Sequence, residues 1–240
     1  GRAIRAVYDG QNLTYEEIHR FENVPIEKDG HLCWDVETLL KEIHTAIQKA
    51  GTFDSLGFDT WGVDFGLLDA DGHLLANPVH YRDARTNGKP EQAAACMPAE
   101  ELYAHTGSQI MAINTLFQLL ALQEQESELL QKAEQILFMP DLFAALLGAE
   151  PVCERSIAST SQMLDPRTGQ WSREVLTAYG LKENHFAPLV ASGTVTGTLT
   201  TGAKIIAVAG HDTQCASAAM PCAEEDVEHT AFLSCGTWSL

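Results

Sequence analysis

An α/β fold is predicted from three observations. Short apolar, strand-like runs alternate along the chain with stretches whose apolar residues recur at helical spacing. One run, Ile205 to Ala209, ends at Gly210 and passes through His211-Asp212-Thr213 into Gln214 to Ala219, where small residues dominate. That is the order strand, tight turn, closely packed helix. Hydrophobic residues make up 45% of the 240 positions and charged residues 20%, enough for one large domain or two small ones.

In chain order, residues 2–9 read as a strand, turned by Asp9-Gly10 onto a partner at 13–21. A helix follows from Asp35 to Ala50. Asp35 is its N-cap, Trp34 and Leu39 its hydrophobic staple, and Gly51 its stop. Ser55 to Asp59 reads as a buried strand, and Val63–Leu68 and His73–Leu75 as further strands joined by the turn Asp69–His73. Asn114 to Gln125 is helical, Gln135–Met139 a short strand, and Leu142–Leu147 a helix begun by Pro140-Asp141 and stopped by Gly148. Another short helix lies near Ser172–Tyr179. Residues 224–226 form an acidic, solvated linker, and 229–235 one more strand.

Acids outnumber bases 33 to 15, a net charge of −18. This argues against nucleic acid and anionic membrane as partners, which are bound through clustered Lys and Arg. No apolar run is long enough to cross a bilayer. The six cysteines form no C-x-x-C pair, which reads as reduced thiols in a cytoplasmic protein, and no His/Cys spacing suggests a metal site. The abrupt Gly1-Arg2 start and the end at Leu240 read as a piece trimmed at both ends.

Four stretches could carry chemistry. Gly210-His211-Asp212-Thr213 puts a carboxylate at the carboxyl end of a strand, where open α/β sheets build sites, although Asp212 also suits a helix N-cap. In Asp59-Thr60-Trp61-Gly62-Val63-Asp64-Phe65, the glycine permits close approach of a ligand and the Trp offers a face to a sugar ring; Asp caps and a core Trp are the other reading. Tyr81-Arg82-Asp83-Ala84-Arg85-Thr86-Asn87 can bind hydroxyls or form an ion-pair network. Gly236-Thr237 could hold phosphate oxygens. No G-x-x-x-x-G-K-[ST] or G-x-S-x-G is present.

Taken together with Ser234 to Leu240, these stretches resemble the FGGY family of carbohydrate kinases over nearly the whole chain. The D-T-W-G-V-D-F and Y-R-D-x-R-T-N-G pieces look like its rhamnulose branch rather than the xylulose or glycerol branches. The resemblance implies an actin-like ATPase (ribonuclease H-like) domain with a mixed sheet flanked by helices. Residues 1–223 would be the sugar-binding domain, lacking its first strand, and 224–240 a linker and first strand of a truncated ATP-binding domain. It implies transfer of the ATP γ-phosphoryl group to the C1 hydroxyl of L-rhamnulose with Mg²⁺. L-Fuculose, L-xylulose and non-catalytic sugar binding are the alternatives. By matching position, Asp212 is the base, Gly62, His211 and Thr213 contact the sugar, and Gly1, Arg2 and Thr237 belong to the phosphate loops. The family's Asp-x-Gly hairpin, whose acid helps hold Mg²⁺, is absent, so the chain alone is expected to be inactive.

Overall fold

The structure, a computed structural model, describes residues 1–235. It opens with an antiparallel hairpin, β1 (Arg2–Tyr8) and β2 (Leu13–Arg20), paired from Arg2↔Arg20 to Tyr8↔Leu13. The Asp9 carboxylate closes the turn by accepting the Gln11 and Asn12 N–H groups at 2.9 and 2.7 Å. The alternation along β1 buries neither face: Ile4, Val7, Tyr8, Leu13 and Tyr15 are all exposed. Among the described residues, the hairpin pairs with no third strand. It meets helix α1 (Val36–Ala50) near its base, where His19 lies 2.5 Å from Glu42. A second hairpin, β3 (Ile26–Lys28) and β4 (His31–Cys33), turns at Asp29-Gly30, both with positive φ, and leads into α1. Asp35 caps α1 by accepting the Thr38 N–H at 3.1 Å, and Gly51 ends it at φ +68°.

β5 is only Ser55–Leu56, shorter than the predicted 55–59. Its ladder breaks at Gly57, which passes so close to Val208 that a Cβ there would lie 2.4 Å from Cγ1. β6 (Phe65–Leu68) is wholly buried and starts two residues later than predicted, because Val63 takes φ +67°, outside any strand. Of the predicted strand 73–75 only a single bridge, Leu68↔Leu74, forms. Four helices follow: α2 (Lys89–Ala93), α3 (Ala99–Thr106), α4 (Thr115–Gln125) and α5 (Ser127–Lys132). α4 runs through the core, with Leu116, Phe117 and Leu119 fully buried. β7 (Gln135–Phe138) pairs antiparallel with β6 and continues directly into α6 (Met139–Leu146), which starts three residues before the predicted Leu142. Pro140 is tolerated there because first-turn N–H groups have no partner within the helix.

β8 (Cys153–Glu154), α7 (Arg155–Ala158), β9 (Leu164–Asp165), β10 (Gln170–Trp171) and α8 (Arg173–Ala178, capped by Ser172) come next. β11 (Leu189–Val190) pairs parallel with β8. β12 (Thr194–Thr198) pairs antiparallel with β13 (Lys204–Ala207), which pairs parallel with β5, giving a mixed three-stranded sheet. α9 (Asp212–Ala218) follows. The acidic segment forms an exposed 3-10 turn at Glu224–His229. Residues 231–234, predicted as part of a strand, carry no regular structure. A strand needs a ladder partner, and the described residues offer them none. Among the described residues no helix is long and apolar enough to cross a bilayer.

Candidate functional site

The site is assembled where β5 and β13 end side by side. Beyond both strands the two loops stay in register. Thr60 N–H donates to Gly210 O, and Asp212 N–H donates to Thr60 O, both at 2.9 Å, forming the parallel bridge Thr60↔His211. This fixes Thr60-Trp61-Gly62 against Gly210-His211-Asp212 at the carboxyl ends of two parallel strands. α9 starts at Asp212, and its N-cap is His211. Asp212 is therefore not the cap; its Oδ1 accepts the N–H of the next residue, Thr213, at 2.7 Å.

Beside this junction lies a cavity of about 470 Å³. Trp61, Gly62 and Val63 form one wall, His211, Asp212 and Thr213 another, and Tyr81, Met111, Ile113 and Asn114 close it. The lining is mainly apolar, with the polar groups of Asp212, His211, Thr213, Asn114 and Thr160 converging on it. Three of the predicted sugar contacts, His211, Thr213 and Gly62, thus stand around one cavity with Asp212. Gly62 has a further role. A Cβ on it would fall 2.8 Å from Thr160 Cγ2, so the side chain that needs this glycine is Thr160. Thr160 Oγ1 accepts the Val63 N–H at 2.9 Å and donates to Ile157 O at 2.7 Å, and so helps hold Val63 in its left-handed conformation.

Behind the Trp61 wall the second acid of that stretch is a structural hub. Asp64 is fully buried. Its Oδ2 accepts the Trp34 and Trp61 indole N–H groups at 2.6 and 2.9 Å and the Tyr81 N–H at 3.3 Å, and its Oδ1 accepts Gln118 Nε2 at 2.9 Å. Burial pushes Asp64 up to about 6, against these donors. The 81–87 cluster is likewise structural. Arg85 is buried and donates to Gln118 Oε1 at 2.9 Å, Asp83 accepts the Leu32 and Arg85 N–H groups, and Arg82 is exposed, 5.4 Å above the Tyr81 ring. Of the cluster only Tyr81 reaches the cavity.

Burial lowers the pKa of His211, against the nearby charges of Asp212 and Glu154, and so favours its neutral imidazole. Asp59 keeps solvent contact, but crowding by protein atoms, and then the like charge of Asp212, raise its pKa; Arg2 opposes them. Gly1 and Arg2 do not line the cavity with Asp212. They line a separate one of about 470 Å³ with Arg20, Phe21 and Glu22. Thr237 lies outside the described residues. Asp69, Asp71 and His73 could together ligate a metal, but they line no part of the site, and Asp69 Oδ1 already accepts two loop N–H groups.

The sequence reading missed Thr160 and Glu154. Glu154 is buried and accepts the Gly210 N–H at 3.0 Å, while Ser156 Oγ accepts the His211 N–H at 3.3 Å. Both lie in a polar run, Glu154-Arg155-Ser156 to Thr160-Ser161-Gln162, with no hydrophobic period. The only local signal is an acid followed two residues later by a serine, a possible helix cap.

The sequence profile described as the FGGY family of carbohydrate kinases, N-terminal domain, matches residues 5–218. Over its whole length the chain is 40% identical to a rhamnulokinase from Bacteroides thetaiotaomicron and covers 52% of that protein, so it spans about half the length of this curated relative. Among solved structures it is similar to a ligand-bound xylulose kinase from Lactobacillus acidophilus, with TM-score 0.73, 17% identity and coverage of 86% of this chain and 44% of that one. A xylulose kinase from Rhodospirillum rubrum gives TM-score 0.73 at 15% identity over 90% and 51% of the two chains. Plasmodium falciparum glycerol kinase with ADP gives 0.67 at 15% identity over 86% and 44%. These likenesses show the fold, the actin-like α/β architecture with its mixed sheet.

Proposed function

The chain belongs to the FGGY family of carbohydrate kinases, and from that premise we propose that it forms the sugar-binding part of an ATP-dependent ketose kinase, with Asp212 as general base. The observation that carries the reading is the placement of Asp212 at the junction of two parallel strand ends, on the rim of a cavity shared with Trp61, Gly62, His211 and Thr213. The ketose hydroxyl is held there by the neutral His211 ring, the Thr213 hydroxyl and the backbone at Gly62. Trp61 and Tyr81 line the cavity and offer apolar surface to the carbon skeleton. As the hydroxyl oxygen attacks the γ-phosphorus in line, Asp212 takes its proton. The identity to a rhamnulokinase supports L-rhamnulose and its C1 hydroxyl as the acceptor; L-fuculose and L-xylulose are the competing substrates.

We assign residues 1–223 to the sugar domain and 224–240 to the passage into an ATP-binding domain. ATP phosphates need cationic donors, and at the Gly1-Arg2-Arg20 cavity the Arg2 guanidinium supplies one, while Arg20 is held by the Glu17 carboxylate; Thr237 is assigned to the same task. Mg²⁺ takes hard carboxylate oxygens. When bound, the cation neutralises phosphate charge. The unpaired thiols of Cys33, Cys96, Cys153, Cys215 and Cys222 support a cytoplasmic enzyme.

The test is Asp212→Asn in a complete kinase carrying this domain. Turnover is expected to fall by about 10²–10⁴-fold, with ketose affinity within about threefold of wild type. Retained turnover would refute the base assignment. A ketose panel that favours fuculose or xylulose over rhamnulose would refute the substrate.

A further inference from the structure

Glu154 touches the turn that carries the base, yet it lies outside the cavity. It is 2% exposed, and its carboxylate is fully engaged. Oε2 accepts the Ser156 N–H, the Ser156 hydroxyl and the Ile157 N–H at 2.9, 2.6 and 3.2 Å, and Oε1 accepts the Ser192 hydroxyl at 2.7 Å. The contacts to Ser156 and Ile157 cap α7. The bond from Gly210 N–H to Oε2, at 3.0 Å, adds nothing to that cap and comes from 56 residues away. Ser156 Oγ relays the same support to the His211 N–H at 3.3 Å. The two N–H groups that precede Asp212 are therefore held from α7, while Thr60 holds Gly210 O and Asp212 N–H from the opposite side. Gly210 has little room to tip, since a Cβ on it would lie 3.0 Å from Pro140 Cγ.

We propose that Glu154 is the positioning residue of the base turn: by anchoring Gly210 it sets where the Asp212 carboxylate stands relative to the sugar hydroxyl. The proposal rests on the reading of Asp212 as base. A carboxylate displaced by about 1 Å loses in-line alignment, at a cost of up to about 100-fold in rate.

The test uses Glu154→Asp, Glu154→Gln and Ser156→Ala in the complete kinase, with kcat, ketose KM and Tm measured for each. Aspartate still caps α7 but stops one methylene short of Gly210. Glutamine leaves an oxygen in the place of Oε2, and the Ser192 hydroxyl can turn to accept from its amide. For E154D, kcat is expected to fall by about 10- to 100-fold with ketose KM within about threefold of wild type. E154Q should restore kcat to within about threefold. S156A, which removes the hydroxyl under His211, should lose about three- to tenfold in kcat. Wild-type kcat in E154D overturns the proposal. So does a loss in E154Q equal to that in E154D, because charge rather than reach would then matter. If E154D does not fold, wild-type kcat in S156A overturns it. Asp212→Asn, run beside them, separates the two ideas: turnover there defeats the base reading, whereas an inactive D212N with a fully active E154D defeats only the role of Glu154.

Discussion

Gly62→Ala tests what this glycine is for. A methyl group at position 62 would lie 2.8, 3.0 and 3.1 Å from the Cγ2, Cβ and Oγ1 atoms of Thr160. Ordinary contact between carbons is about 3.5–4.0 Å, so Thr160 must retreat by roughly half an ångström or more. It is not free to do so, because its hydroxyl is bonded to Ile157 O and to the Val63 N–H. Overpacking a fixed neighbour costs about 1–3 kcal/mol. Loss of the Val63 bond adds about 0.5–1.5 kcal/mol. Together they give a destabilisation of about 2–4 kcal/mol. Thr160→Ser removes the nearest atom and keeps the hydroxyl, so the double variant should recover about 1 kcal/mol or more beyond additivity. Urea unfolding of the four proteins of this cycle measures both quantities, with a constant m-value as the check that the unfolded state is unchanged. A G62A variant within about 0.5 kcal/mol of wild type, or an additive cycle, refutes the role of Thr160. If such a stable G62A also lost ketose binding, the glycine would serve the ligand's approach, as the sequence first suggests.

Asp141 is buried, accepts the Glu154 N–H at 3.1 Å, and is pushed up to about 8 by burial. Its folded pKa exceeds its unfolded one, so its contribution to stability is full below about 4 and is lost as pH rises through 8. Asp141→Asn should therefore flatten the decline of urea stability between pH 4 and 8; an unchanged profile would show that Asp141 is not its source. Glu154 has the opposite sign. Burial alone would raise it, but the hydrogen bonds from Ser156, Ser192 and Gly210 outweigh burial and hold it low. The stability it supplies is present above its unfolded pKa and falls away as pH drops. Asp64→Ala removes the acceptor from four donors, two of them buried, and is expected to cost about 3–5 kcal/mol, with a red shift of Trp34 and Trp61 fluorescence; a native-like spectrum and stability would refute the hub.

Where the signal was local, the sequence was legible. Asp35 and Gly51 bound α1 because a carboxylate that accepts the Thr38 N–H and a glycine at φ +68° act within a turn of their own position. The strand, turn and helix from 204 to 218 read directly from apolar residues, a glycine and small residues. What had no local signature was the partner of each piece. Nothing in Ser55-Leu56 announces that β13 lies beside it. The run at 229–235 reads as a strand, yet 231–234 carry no regular structure, because period and composition say nothing about which neighbours the fold supplies. The Arg82–Arg85 cluster was ambiguous until the burial of Arg85 against Gln118 decided for structure. Thr160 and Glu154 act across the fold through hydrogen bonds to Val63 and to Gly210 and Ser192, and a polar run gives no hint of their direction.

The bridge between Thr60 and His211 joins residues about 150 positions apart. Closing so long a loop carries an entropy cost that the local hairpins and α4 do not meet, so this contact belongs late in the folding order. On a growing chain, the Trp61 half of the pocket must wait for its Asp212 half until nearly all of this domain has been synthesised. β5, whose ladder partner is β13, spends that interval unpaired, and at two residues it is too short to template pairing with another chain. The brevity of that strand thus leaves little backbone for a second chain to pair with before the site closes.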